Sequence, residues 1–165
     1  MFVRALISTF NRKDVPYCLV GGVAVALHGV PRMTYDIDIV VPMTAIAMRG
    51  CREALEGLGL LPRVPVALES LADPAVRDAQ LREKNLVAVT FSDPSHPLRE
   101  VDVLVSPPIS PDELVARSVI RDADGLVVRV VCLDDLVAMK RAAGRSQDLA
   151  DVAHLERLSR RGLAR

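Results

Sequence analysis

The first residues, MFVRALISTFNRKDV, place apolar side chains at helical spacing with polar ones between them, which predicts an amphipathic opening helix. Pro16 ends that pattern. The apolar run Tyr17-Cys18-Leu19-Val20 then reads as a short buried strand leading directly into Gly21-Gly22, and Val23 to His28 reads as a short helix closed by Gly29. From Tyr35 to Val41 carboxylates alternate with β-branched residues, the period of two expected of a strand, until Pro42 stops it. Met43 to Leu58 returns to helical spacing.

The stretch 60–83, interrupted by prolines at 62, 65 and 74, predicts loop plus one short helix. Leu86 to Phe91 and Arg99 to Val105 predict two further strands, separated by the turn-rich Ser92 to Pro97. Asp112 to Arg117 predicts a helical turn, and Val119 to Arg121 with Leu126 to Cys132 a hairpin around Asp122-Ala123-Asp124-Gly125. Two helices close the chain, Leu133 to Ala143 and Asp148 to Arg160. The sum is an α/β (or α+β) fold: a small mixed sheet flanked by helices, with a core over about 1–132 and a C-terminal helical pair over about 133–165, expected as one domain.

Composition narrows the classes of function. The chain has 165 residues, 50% of them hydrophobic and 25% charged, enough for a folded domain with a core of its own. Twenty-one basic residues balance 21 acidic ones, which argues against coating nucleic acid through bulk charge, and 3% aromatics leave little for base-stacking platforms. Cys18, Cys51 and Cys132 lie far apart in apolar surroundings, without the spacing of a zinc site or disulfide framework. The longest apolar run, Tyr17 to Leu27, falls short of the roughly 20 residues that span a bilayer. No membrane association and a cytoplasmic location are expected.

The chemistry is concentrated in three acids. Asp36 and Asp38 are two residues apart on a predicted strand, so both leave one face while Ile37 and Ile39 bury the other. Two carboxylates so placed either raise each other's pKa or share a cation, and an all-oxygen donor set suits magnesium. Alternating polarity on a solvated edge strand is the plain alternative, but the apolar flanks of YDIDIVV disfavour it. Asp102, within Val101 to Val105, puts a third carboxylate into another apolar strand. Three such acids on neighbouring strands are what a two-metal phosphoryl-transfer site needs. Gly21-Gly22, at a strand-to-helix turn 14 residues before Asp36, would let backbone N–H groups approach a triphosphate.

The segment LVGGVAVALHGVPRMTYDIDIVV resembles the signature of nucleotidyltransferases of the DNA polymerase β superfamily, and within it the small bacterial AbiEii-like group associated with abortive-infection toxins. That group's pattern is met by Gly21, Gly22, Ala24, His28, Gly29, Arg32, Thr34, Asp36, Ile37 and Asp38. Lys140, Arg145, Asp148 and Asp151 are similar to its C-terminal block. The resemblance implies transfer of a nucleoside monophosphate from an NTP to an RNA, protein or small-molecule acceptor, and an antitoxin protein as partner. It implies Mg2+ or Mn2+ held by Asp36, Asp38 and Asp102, with Lys140 assisting catalysis. Gly21, Gly22, Arg32, Thr34, Arg145 and Asp148 would then bind the nucleotide. A non-catalytic nucleotide- or partner-binding domain and an antibiotic-modifying transferase are the alternatives.

Gly22 stands where many superfamily members carry a phosphate-touching serine, so that contact has to come from backbone, Arg32 or Thr34. Several residues also have a plain structural reading. Arg32 suits a salt bridge, His28 a backbone-bonded helix end, and Lys140 a solvated helix lysine. Asp148 suits a helix N-cap with Asp151 at N3. Lys140 is nevertheless expected to fold back to the cleft of Asp36 and Asp38, because residues 133–165 hold seven Lys or Arg against five acids.

Overall fold

The computed structural model describes residues 2–160. In chain order the elements are α1 (Phe2–Arg12), β1 (Cys18–Leu19), α2 (Gly21–Leu27), β2 (Asp36–Val40), α3 (Ala45–Glu56) and β3 (Leu61–Pro62). A 3-10 turn (Leu68–Ala72) leads to α4 (Pro74–Lys84), β4 (Ala88–Asp93), β5 (His96–Leu104) and α5 (Pro111–Ala116). Then follow β6 (Val119–Ala123), β7 (Leu126–Val130), α6 (Leu133–Ala143) and α7 (Ser146–Arg160). The helical pair expected over 133–165 is thus described as far as Arg160.

Among the described residues the sheet has seven strands in the order β3-β4-β5-β2-β1-β7-β6. It is mixed: β2 runs parallel to β5 and β1 parallel to β7, while the remaining neighbours are antiparallel. The period of two separates the faces of its centre. Ile37, Ile39, Val101, Val103, Val89 and Phe91 are buried on one side, aligned by the pairs Ile37 with Val101, Ile39 with Val103 and Phe91 with Val101. The alternate positions, Asp38, Asp102 and Thr90, therefore share the opposite side.

Local chemistry fixes several boundaries. Thr44 caps α3 by accepting from the Ala47 N–H at 3.2 Å, and Asp73 caps α4 from the Ala75 N–H at 2.8 Å. Gly144 ends α6 in the left-handed conformation, φ 65°. Edge-on packing of Phe10 against Tyr17, with ring centres 5.5 Å apart, seats α1 beside β1.

Several boundaries differ from expectation. The region 60–83 contributes a two-residue edge strand and an 11-residue helix, α4. The turn between β4 and β5 contracts to Pro94-Ser95, because His96 already pairs with Asp93 past a bulge. And α7 begins at Ser146, so Asp148 lies inside its first turn and is not its N-cap. All three cysteines are free thiols, and burial pushes the Cys18 pKa up to about 12, which suits inert packing residues. Among the described residues no helix is long and apolar enough to cross a membrane.

Candidate active site

β2 and β5 set the site. Their parallel register puts Asp38 beside Asp102 and Asp36 beside Glu100, so acids from both strands stand on one face. Asp36, Asp38 and Asp102 all line a cavity of about 450 Å³ that also includes Gly21, Gly22, Arg32, Thr34, Lys140, Arg145 and Asp148. The residues singled out in the sequence are therefore gathered in one place. Val87, Leu104, Leu136 and Met139 form an apolar wall of the same cavity.

The carboxylates differ in their surroundings. Burial, then the neighbouring Asp102 charge, raise the Asp38 pKa against the opposing effects of the Gly22 N–H and the Lys140 charge. Asp102 is oriented by Thr90, whose hydroxyl donates to its Oδ1 at 2.6 Å, leaving Oδ2 toward other partners. Glu100 is paired with Arg63 at 2.6 Å. Asp36 is exposed.

The glycine turn is built around Asp38. Gly21 has φ 62°, and a Cβ there would overlap the Asp38 carboxylate, so both backbone conformation and close approach demand glycine. α2 starts at Gly21, two residues earlier than the periodicity indicated, and spans only seven residues.

At the other wall, α6 and α7 carry a buried ionic network. The Lys140 ammonium bridges Asp148 Oδ1 at 2.8 Å and Asp151 Oδ2 at 3.0 Å. Arg145 Nε donates to Asp148 Oδ2 at 2.6 Å, and Arg32 pairs with Asp151. Burial would raise the Asp148 pKa, but the bonds from Arg145 and Lys140 prevail and hold it below the usual carboxylate value. The solvated-lysine reading of Lys140 is corrected on this point, since the residue is only 5% exposed. A buried ammonium needs counter-ions, and both acids of the C-terminal block supply them. Arg32 makes the salt bridge expected as its plain reading. His28, at the end of α2, contacts the Val131 carbonyl through Nε2 at 2.8 Å.

Thr90 escaped the sequence reading: it carries no motif, and only its alternation on the strand flanking Asp102 could have marked it. Asp151 was visible as the last acid of the C-terminal block, but not its pairing with Arg32, which lies 119 residues away.

The donor set suits a hard cation: it is all-oxygen, on adjacent strands, and among the described residues neither Asp38 nor Asp102 pairs directly with a basic side chain. Among the described residues no three His, Cys, Asp or Glu side chains already enclose an ion site.

The family model described as "Nucleotidyl transferase AbiEii toxin, Type IV TA system" matches residues 5–164. The chain belongs to this AbiEii nucleotidyltransferase family. Its fold is that of nucleotidyltransferases as well. The solution structure of the antibiotic-resistance factor ANT(2'')-Ia is similar with a TM-score of 0.60 and 13% identity, over 98% of this chain and 82% of that one. The crystal structure of ANT(2'')-Ia with adenylyl-2''-tobramycin gives 0.60 and 13% over 93% and 84%. Identity that low shows a common fold alone. No curated protein matched by sequence.

Proposed function

We propose that this AbiEii-family protein transfers a nucleoside monophosphate from an NTP to an acceptor hydroxyl, releasing pyrophosphate, as the toxin of a toxin–antitoxin pair in the cytoplasm. The new bond joins the acceptor oxygen to the α-phosphorus, and the bond between the α-phosphorus and the bridging oxygen breaks. The observation that carries this reading is the pairing of Asp38 with Asp102 at one register, on the face shared with Asp36, in the cavity that contains Gly21-Gly22.

Asp36, Asp38 and Asp102 would hold Mg2+ or Mn2+. When bound, such an ion supplies positive charge to the phosphates and lowers the pKa of a coordinated hydroxyl. Asp102, its Oδ1 fixed by Thr90, keeps a second oxygen to take up the acceptor proton. Gly21-Gly22 leaves the backbone open to the triphosphate. Lys140 and Arg145 present positive charge to the same cavity, and because Asp148 and Asp151 hold the ammonium in place, it stabilises developing charge without reorganising. The apolar wall is where the nucleoside would rest. The helical pair supplies part of the site, so core and pair act as one catalytic unit.

The acceptor is testable directly. The protein is incubated with Mg2+, NTPs labelled at the α-phosphate and a cell extract, which is then separated into RNA, protein and small molecules. Label in RNA or protein supports the toxin reading. A parallel incubation with an aminoglycoside tests the antibiotic-modifying alternative, which the fold of ANT(2'')-Ia motivates. Label in none of these arms contradicts transfer.

A further inference from the structure

An apolar groove of about 420 Å³ opens beside the catalytic cavity, between the start of α1, helix α2, the loop before β2 and the start of β5. Phe2, Val23, Met33, Tyr35 and Leu98 line it. Three of them are far more exposed than apolar side chains of their size usually are: Met33 is 85% exposed, Leu98 70% and Tyr35 64%. Large apolar residues gathered at one exposed place mark an interaction site, and Tyr, Phe and Met are among the types enriched where proteins meet. One wall of the groove is fixed in advance. Arg99, bound to Asp93 at 3.1 Å, lies over the Phe2 ring, 5.9 Å from its centre, and so ties the β4–β5 hairpin to α1.

The groove is continuous with the catalytic cavity. Arg32 and Thr34 line both, whereas Met33 and Tyr35 line the groove alone, so a molecule seated there lies at the edge of the space that the acceptor oxygen must enter. The lining also selects among acceptors. Among the described residues it has no carboxylate to hold a polycationic sugar such as an aminoglycoside. Its one cation, Arg32, is paired with the buried Asp151, while RNA is held by several Lys or Arg on successive phosphates. An apolar side chain is what such a lining accepts.

We propose that the groove docks the acceptor and that the acceptor is a polypeptide, one apolar side chain of which rests in the groove while a nearby Ser, Thr or Tyr hydroxyl enters the cavity. The inference rests on the transferase reading and names its acceptor class. The hydroxyl oxygen bonds to the α-phosphorus, its proton passes to Asp102, and pyrophosphate leaves with the electron pair of the broken bridging bond.

The test uses the full chain with Mg2+, NTPs labelled at the α-phosphate, and three probes offered separately: a peptide library with one fixed Ser, Thr or Tyr and randomised flanks, total RNA, and an aminoglycoside. Label is expected in peptides, enriched where Leu, Ile, Met or Phe stands at a constant spacing from the hydroxyl. Met33→Asp and Leu98→Asp, at exposed positions and checked for folding by thermal melts, are expected to lower kcat/KM for the preferred peptide by about tenfold or more, as loss of one large apolar contact implies, while Mg2+–NTP affinity measured by calorimetry stays unchanged. Peptide labelling without an apolar preference, labelling unaffected in both variants, or a parallel loss of NTP affinity overturns the groove as docking site. Label in RNA or the aminoglycoside and none in peptides overturns the polypeptide acceptor and leaves transfer standing. A folded chain that labels no probe overturns the transferase reading, and this inference with it.

Discussion

Asp38 and Asp102 stand side by side on two parallel strands, and among the described residues no basic side chain bonds directly to Asp38, the nearby Lys140 ammonium being taken by Asp148 and Asp151. Burial and the Asp102 charge hold its pKa above the ordinary value. The fold thus places a carboxyl group where ionisation is disfavoured, which is the arrangement a bound cation relieves.

Replacing Asp38 should consequently stabilise the protein while abolishing transfer. Asp38→Asn keeps the shape and removes the charge, and each kcal/mol gained would raise Tm by about 2–4 °C. The sign follows from linkage. Because the folded pKa is raised, ionisation opposes folding, so the variant's advantage is absent below the unfolded value of about 3.9 and grows as pH rises through the folded pKa. Melts of both proteins between pH 3 and 8 would show the two curves diverging upward. Added Mg2+ should stabilise the wild type and leave Asp38→Asn unmoved.

Asp148 behaves in the opposite sense. Its lowered folded pKa gives stability that is present above the unfolded value and lost as pH falls through the folded one. Asp148→Ala removes a counter-ion from the buried Lys140 and should cost about 3 kcal/mol at pH 7, the lower end for breaking a buried pair, since Asp151 remains. Denaturant unfolding at pH 7 and at pH 3 checks this, with the deficit shrinking at the lower pH.

Much of this was legible in the sequence where a local rule governs. The alternation in YDIDIVV put both acids on one face because side chains alternate along a strand, and the glycine turn was marked by the same motif. The second edge strand was not legible, because Leu61-Pro62 is too short to alternate and carries a proline. α4 was blurred because none of its residues is fully buried, so no apolar stripe identifies it. The ionic network depends on contacts between the loop at Arg32 and helix α7 that only tertiary packing creates.

That last contact predicts coupling between distant segments. A double-mutant cycle on Arg32→Ala and Asp151→Ala should give about 1–2 kcal/mol of interaction in stability, within the range for residues in one charged network. Additive effects would show that the pair contributes nothing beyond its separate parts.

Gly21→Ala imposes a side chain at φ 62° and drives it into the Asp38 carboxylate. The backbone conformation alone costs about 1–2 kcal/mol, and displacement of Asp38 should reduce turnover by far more than that loss of stability accounts for. Comparing the melting curve with single-turnover rates separates the two effects.

Whether the acids of β2 and β5 carry the proposed nucleotidyl transfer is read by following label from the α-phosphate of each NTP into acceptor, with Mg2+, for the wild type and for Asp38→Asn at equal folded concentration. Transfer by the wild type, with release of unlabelled pyrophosphate and none above background from Asp38→Asn, is the predicted result. Equal labelling by the two proteins, or none by either with any NTP, would contradict it.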